Sequence, residues 1–273
     1  MVKEHDKGPL LGQQVAGSHF YDPSLLFPVP RANARQSLRN GCFEAFGEDV
    51  WHAYEISWVN SDGVPEARVG HVVIPASSPN LVESKSLKLY LNSLNNHTFA
   101  SDQEAVSAII EDLSQVVGAD VVLELFDVES DEFRGVRIEG ECLDNCHKTL
   151  LALRPADADS GAFRPVEGSA KVYTHRMRSL CPVTSQPDWA TVVVDSRGTH
   201  ASSSELLSYL LAFRDHQEFH EQCVERIYSD LWEQLTPEYL SVHALYTRRG
   251  GLDICPWRCS EDVPAPRYRL NRQ

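Results

Sequence analysis

One succession of elements occurs twice in this chain of 273 residues, and it constrains the fold more than any other feature. In the first half, an apolar run at 50–59, the turn Asn60-Ser61-Asp62-Gly63 and a run at about 66–74 read as two strands. Helical periodicity follows at about 82–95 and again at about 102–117. The second helix opens with a Ser101/Glu104 capping box, carries the stripe Val106, Ile109, Ile110, Leu113 and Val117, and stops at Gly118. A strand at 120–128 ends the unit. The second half gives strands at 170–178 and 190–196, helices at about 203–214 and about 220–235, and a strand at 239–246 after Pro237. Tyr90-Leu91 and Tyr209-Leu210 lie 119 positions apart, and Phe99 and Phe219 lie 120 apart. A repeated strand–strand–helix–helix–strand unit predicts a duplicated module that mixes strands and helices. The expected division is 1–145, an arm plus the first module, and 146–273, a connector plus the second. The Asp-, Ala- and Pro-containing stretch 143–168 reads as the connector, and 1–35 as an extended arm with one apolar patch, Leu25-Leu26-Phe27, between prolines.

The copies have diverged in complementary ways. Opposite Glu83-Ser84-Lys85-Ser86-Leu87-Lys88-Leu89-Tyr90 stands Ser202-Ser203-Ser204-Glu205-Leu206-Leu207-Ser208-Tyr209, which has no lysine. Cys181 has no counterpart in the first copy, and Ala100-Ser101 stands where the second copy has His220-Glu221. Each half lacks what the other carries, so one composite site per chain is expected.

Lys85 and Lys88 share a helix face, with Ser84 beside Lys88, and such a face suits a phosphate-bearing ligand. A bare K-x-x-K is also an ordinary solvated turn. Cys181 and Asp188 sit seven positions apart in a segment, Ser179 to Trp189, where Pro182 and Pro187 bracket a predicted loop. A thiolate is a strong nucleophile once a base is near, and Asp188 offers a base and later an acid. The competing reading is a buried structural thiol with a turn aspartate. His220 and Glu221 open a helix; Glu221 favours the helix dipole there, and its carboxylate is also able to accept two N–H bonds from a guanine-like edge. Arg248-Arg249-Gly250-Gly251 is either a phosphate clamp or a simple turn.

Cys142-x3-Cys146-His147 and Cys255-x3-Cys259 invite a zinc reading, but the spacings are loose and no knuckle pattern lies between them, so no metal is expected. No G-x-G-x-x-G follows a strand, and there is neither a Walker-type phosphate loop nor a G-x-S-x-G elbow. The formal net charge of −14 leaves no basic surface for a polyanion, so nucleic acid is not an expected direct partner. Local basic spots (Arg31, Arg35, Arg39; Arg248, Arg249; Arg267, Arg269) leave room for a small phosphorylated ligand. Seven cysteines, no leader pattern and no apolar run near the ~20 residues of a membrane span predict a soluble cytoplasmic protein with reduced thiols.

The octapeptide 83–90, the segment Cys181 to Trp189, the pair His220-Glu221, Arg249-Gly250 and the early Tyr21-Asp22-Pro23-Ser24-Leu25-Leu26-Phe27-Pro28 together resemble the NADPH-dependent 7-cyano-7-deazaguanine reductases of the queuosine pathway. The resemblance runs over nearly the whole chain and is to the long, two-module subgroup. It implies an α+β fold of tandem duplicated tunnelling-fold modules, each an antiparallel sheet with helices on one face, related to GTP cyclohydrolase I but without that relative's zinc ligands. It further implies that Cys181 attacks the nitrile carbon to form a thioimide, that Asp188 moves the proton, and that two NADPH complete the reduction to 7-aminomethyl-7-deazaguanine. By the same resemblance Val82, Glu83, Ser84, Phe219, His220 and Glu221 hold the deazaguanine, with His220 near the reacting group. Ser84, Lys85, Arg249 and Gly250 take the cofactor, and a homodimer is implied. Two other readings stay open: a metal-dependent cyclohydrolase or pterin-processing enzyme on the same fold, and a non-catalytic purine-binding module.

Overall fold

The computed structural model describes residues 18–39, 44–146 and 163–273. The arm ends in a short strand β1 (Pro28–Pro30) and one turn of helix, α1 (Arg31–Arg35). The first module then runs β2 (Phe46–Val59), β3 (Pro65–Pro75), β4 (Asn80–Val82), α2 (Ser84–Ser93), α3 (Asp102–Val117) and β5 (Val122–Asp127). Short strands β6 (Glu141–Cys142) and β7 (Pro165–Glu167) precede the second module. That module comprises β8 (Ala170–Leu180), β9 (Pro187–Arg197), β10 (Thr199–Ala201), α4 (Ser203–Ala212), α5 (His220–Leu235), β11 (Tyr239–Tyr246) and β12 (Leu252–Cys259). The duplicated α+β architecture expected from the sequence is present. Residues 1–17, 147–162, Cys42 and His147 lie outside the described residues, and with them most of the expected connector.

Eight strands form one sheet in the order β5-β3-β2-β12-β11-β9-β8-β6. Neighbours are antiparallel except β6 beside β8. The two modules meet where β12 pairs with β2, Leu252–Cys259 against Ala53–Phe46. The sequence reading did not predict β12. Pro256 breaks the strand pattern there, because proline cannot donate to a ladder. It is tolerated because the ladder to β11 joins only Trp257–Cys259 to Ser241–His243, and Pro256 lies just outside it. The expected loop at 181–189 is also shorter than predicted. β9 begins at Pro187, a permitted first position, and so carries Asp188 into the sheet.

Helix positions follow the apolar stripes. α3 has Ser101 as its N-cap, Glu104 reaching back to the Ala100 N–H (2.6 Å), and Gly118 in the left-handed region (φ 74°) as its stop. Its buried face, Ala105, Ile109, Leu113 and Val117, packs with α2 residues Leu87, Tyr90 and Leu91 and with Trp51 and Val72 of the sheet. An equivalent core forms beneath α4 and α5 from Leu207, Leu210, Val224, Ile227 and Leu231 against Val192, Val242 and Ala244. Each fully buried Leu or Ile contributes about 1.5–3 kcal/mol of transfer free energy, so each helix pair is fixed on its own half of the sheet. The opposite face is closed by Trp257, Leu245, Val50 and the C-terminal residues Ala265 and Leu270.

Candidate active site

Cys181 directly follows β8 and is fully buried. Its backbone N–H bonds Gln186 O (2.9 Å) and its carbonyl accepts from Ser185 N–H (2.9 Å), which folds 181–186 into a closed turn. In the β8–β9 hairpin Leu180 pairs with Pro187 and Ser179 with Asp188. Residues opposite one another share a face, as do residues two apart, so Cys181 and Asp188 both face the helix layer. Asp188 shares that side of β9 with the core residues Ala190 and Val192.

Asp188 is 6 % exposed and held from two directions. Arg249 Nη1 donates to Oδ1 at 2.8 Å, and His220 Nε2 lies 3.1 Å from Oδ2, close but not aligned as a hydrogen bond. The His220 ring stacks on Tyr246, the last residue of β11, with centroids 3.7 Å apart and planes at 8°. Burial holds the imidazole below its usual pKa, opposed by Asp188, so His220 is neutral at pH 7. Arg249 also acts electrostatically on the Glu83 carboxylate of the first module. One guanidinium therefore links the two halves.

Glu83 is the N-cap of α2: its carboxylate accepts from the backbone N–H of Lys85 (2.8 Å) and of Ser86 (2.9 Å). It is 1 % exposed, and burial pushes its pKa up against those two hydrogen bonds. Ser84 and Lys85 form the first helical turn beside it. Gly250 (φ 62°) abuts α2 so closely that a Cβ there would stand 2.9 Å from Lys88 Cδ. A groove of about 280 Å³ opens beside this contact, lined by Lys88, Asn92, Arg68, Tyr54, Gly250 and Gly251. The Val82 side chain is buried in the first core, and its strand pairs with the arm, Val82 opposite Pro28.

On α5, Phe219 is the N-cap residue, its N–H bonded to Gln222 Oε1 (3.2 Å), and Glu221 is 3 % exposed in the first turn. Burial, reinforced by Asp49, pushes Glu221 up to about 8, while Arg31 and Arg258 pull the other way. Sequence reading missed Tyr246 and the buried charges Asp49, Glu225 and Arg258. Tyr246 ends an alternating strand and looks like ordinary core. The charges come from three separate elements, so no local spacing announces them.

Cys255 and Cys259 lie four residues apart on one strand, about 13 Å at ~3.3 Å per residue, so that pair cannot close on one tetrahedral ion. Among the described residues one group has metal-ligand proximity: His52, Asp253 and Cys255. Its donors serve each other: His52 Nδ1 lies 2.6 Å from Asp253 Oδ1, Tyr54 Oη donates to Asp253 Oδ2 (2.6 Å), and Gln273 Nε2 donates to Cys255 Sγ (3.1 Å). It lies on the sheet face away from the helices, apart from Cys181.

These elements define an α+β protein of two modules, the second of which holds a buried thiol, a carboxylate and an imidazole. Residues 18–125 match the family described as nitrile reductase, 7-cyano-7-deazaguanine-reductase N-term, and residues 187–265 match the QueF-like protein family. The chain is 46 % identical over 269 residues to the NADPH-dependent 7-cyano-7-deazaguanine reductase of Acinetobacter baylyi, covering 97 % of this chain and 98 % of that protein. It is 44 % identical over 279 residues to the protein of the same name from Desulfotalea psychrophila, with both chains covered fully. The crystal structure of the archaeosine synthase QueF-Like in the apo form aligns at a TM-score of 0.30 and 19 % identity, over 39 % of this chain and 100 % of that one. The chain belongs to the family of NADPH-dependent 7-cyano-7-deazaguanine reductases.

Proposed function

We propose that this chain reduces the nitrile of 7-cyano-7-deazaguanine to the aminomethyl group, with NADPH as reductant, at a site shared between its modules. The observation that carries the mechanistic part is the placement of Asp188: on the Cys181 face of the β8–β9 hairpin, 2.8 Å from Arg249 and 3.1 Å from His220. In this reading Asp188 takes the Cys181 proton as sulfur bonds to the nitrile carbon, and the proton passes to the nitrile nitrogen. The triple bond becomes the C=N of a thioimide. NADPH supplies a hydride to that carbon, the C–S bond breaks, and sulfur leaves as thiolate. The resulting imine takes a second hydride from a second NADPH and one proton to become the amine, and a second proton from the site or solvent restores the Cys181 thiol. Covalent addition matters because a bare nitrile is a poor hydride acceptor.

Glu221 and Glu83 anchor the deazaguanine, the former through the two N–H donors of its aminopyrimidinone edge, and Phe219 covers the ring. Neutral His220, stacked on Tyr246, orients Asp188 and sits beside the reacting group. Enclosure of Cys181 protects the imine from water. Ser84, Lys85, Arg249 and Gly250 are the cofactor residues. The close approach of Gly250 to Lys88 supports this, since a backbone turn without Cβ beside two cationic side chains suits a phosphate. The enzyme works without metal, as a homodimer in the cytoplasm.

Intact-mass spectrometry tests the chemistry. Wild type incubated with 7-cyano-7-deazaguanine but no NADPH gains one ligand mass, NADPH clears it, and Cys181→Ala never gains it. An adduct on Cys181→Ala, or NADPH oxidation by that variant, overturns the assignment.

A further inference from the structure

The arm enters the molecule at two points, and both lead to the residues proposed above to hold the base. β1 pairs with β4, Pro28 opposite Val82, and the Phe27 carbonyl accepts from Glu83 N–H at 2.9 Å. The Ser86 hydroxyl accepts from Phe27 N–H at 3.0 Å. The segment leading into Glu83 is thus an edge strand that the arm completes. Three residues later α1 delivers two arginines to the junction of the two modules. Arg31, 2 % exposed, donates to Asp49 Oδ2 (2.5 Å), to Ser78 Oγ (3.1 Å) and to Glu225 Oε1 (3.4 Å). Arg35 grips Glu225 with two parallel bonds, Nε to Oε2 at 2.9 Å and Nη2 to Oε1 at 2.7 Å. Arg258 of β12 joins Asp49 (2.7 Å) to Glu225 (2.9 Å).

Glu225 lies one turn beyond Glu221 on the same face of α5. The groups facing this patch come from four elements: Arg31 and Arg35 from α1, Asp49 from β2, Arg258 from β12, and Glu225 from α5 itself. Arg31 and Arg258 draw the buried Glu221 carboxylate toward its ionised form, against burial and Asp49, and that form is the one able to accept two N–H bonds. Arg258, Asp49 and Glu225 already connect β2, β12 and α5, so the arginines of the arm are added to a junction that exists without them.

We propose that Arg31 and Arg35 of the arm are positioning residues for the base-binding site: with β1 they fix Glu83, and through Glu225 and Asp49 they fix the turn of α5 that carries Glu221 and supply its counter-charge. The proposal rests on Glu221 being the base anchor. The arm acts on recognition of the deazaguanine and leaves the chemistry at Cys181 to Asp188 and His220.

The test is binding of 7-cyano-7-deazaguanine to full-length protein from pH 6 to 9.5, measured by calorimetry on the Cys181→Ala background so that no adduct forms. NADPH affinity is measured in parallel. In the parent, affinity strengthens as pH rises through about 8, because burial keeps Glu221 protonated below that. Arg31→Met removes a positive neighbour, so the midpoint moves up by about one unit and base affinity falls about tenfold at pH 7.5, with NADPH affinity unchanged. Glu225→Gln removes a negative neighbour and moves the midpoint down. Opposite signs from two variants are not what general loosening produces. Arg35→Gln, at a partly exposed position, repeats the upward shift if Arg31→Met fails to fold, and Arg35→Lys restores part of it. Unmoved midpoints in Arg35→Gln and Glu225→Gln, with the pH dependence intact in the parent, overturn the proposal alone. A parent that binds without pH dependence, or binds as well as Glu221→Gln, overturns the anchor assignment beneath it.

Discussion

The two modules share their framework down to single hydrogen bonds, yet differ at the ends of their hairpins. Tyr90 donates to Asp112 (2.6 Å) across α2 and α3, and Tyr209 donates to Asp230 (2.6 Å) across α4 and α5. Both long hairpins are kinked alike, β2 between Ala53 and Ile56 and β8 between Thr174 and Met177. Val59 N–H bonds His97 O (2.9 Å) just as Leu180 N–H bonds His216 O (2.8 Å). That match places Asn60 and Cys181 at the same point of the repeat. In the first module Asn60 builds a turn, its Oδ1 accepting from Asp62 and Val64 N–H at 3.0 Å each. In the second, Cys181 is enclosed by its own loop. The helix starts diverge likewise: Ser202 caps α4 through its hydroxyl, whereas Glu83 caps α2 with a buried carboxylate that retains lone pairs for a ligand. The copies agree in what packs against the helices and differ at the strand ends and helix N-termini.

Three paired substitutions test this division. The largest contrast is at the hairpin ends. Cys181→Ala lowers kcat/KM for the nitrile by at least about 10⁴-fold, as loss of a nucleophile does. Asn60→Ala leaves turnover intact and costs about 1 kcal/mol of stability for its lost turn bonds. Steady-state NADPH oxidation and denaturant titration read the two effects, and a comparable activity loss in Asn60→Ala breaks the comparison. Next come the caps. Ser202→Ala and Glu83→Ala each cost about 0.5–2 kcal/mol of stability, but only Glu83→Ala raises KM for the nitrile, roughly tenfold for about 1.4 kcal/mol of lost binding. Equal KM values in the two variants would remove Glu83 from the site. The smallest effect separates the tyrosines. Tyr209→Phe removes a part-buried donor to Asp230 and costs about 0.5–1.5 kcal/mol. Tyr90→Phe costs less, because Tyr21 Oη also donates to Asp112 at 2.5 Å. Urea midpoints compare them, and Tyr21→Phe with Tyr90→Phe recovers the Tyr209→Phe cost.

The elements that sequence reading placed well are those whose apolar period is uninterrupted: β2, β3, α3, α5 and β11 agree with expectation to within a few residues. β12 was missed because Pro256 and the charged Asp253 and Arg258 interrupt its pattern, and their compensation comes from strands far away in sequence. The site divides the same way. Cys181, Asp188, His220, Glu221, Glu83 and Arg249 were singled out from spacing, the comparison of copies and family resemblance. Their contacts were not readable: that Arg249 spans from Asp188 to the neighbourhood of Glu83, that His220 lies on Tyr246, or that Arg31 and Arg35 reach α5.

The sequence by itself determined the duplicated α+β unit, the faces of its helices and the complementary loss of chemistry between copies, because apolar period and capping act within a few residues. Only the tertiary structure decided where the copies join, that β12 lies against β2, and which buried charges compensate one another. Those are settled by pairing between elements some 200 residues apart. A buried guanidinium or carboxylate persists only where such distant partners meet it, so its role appears only once the chain has closed on itself.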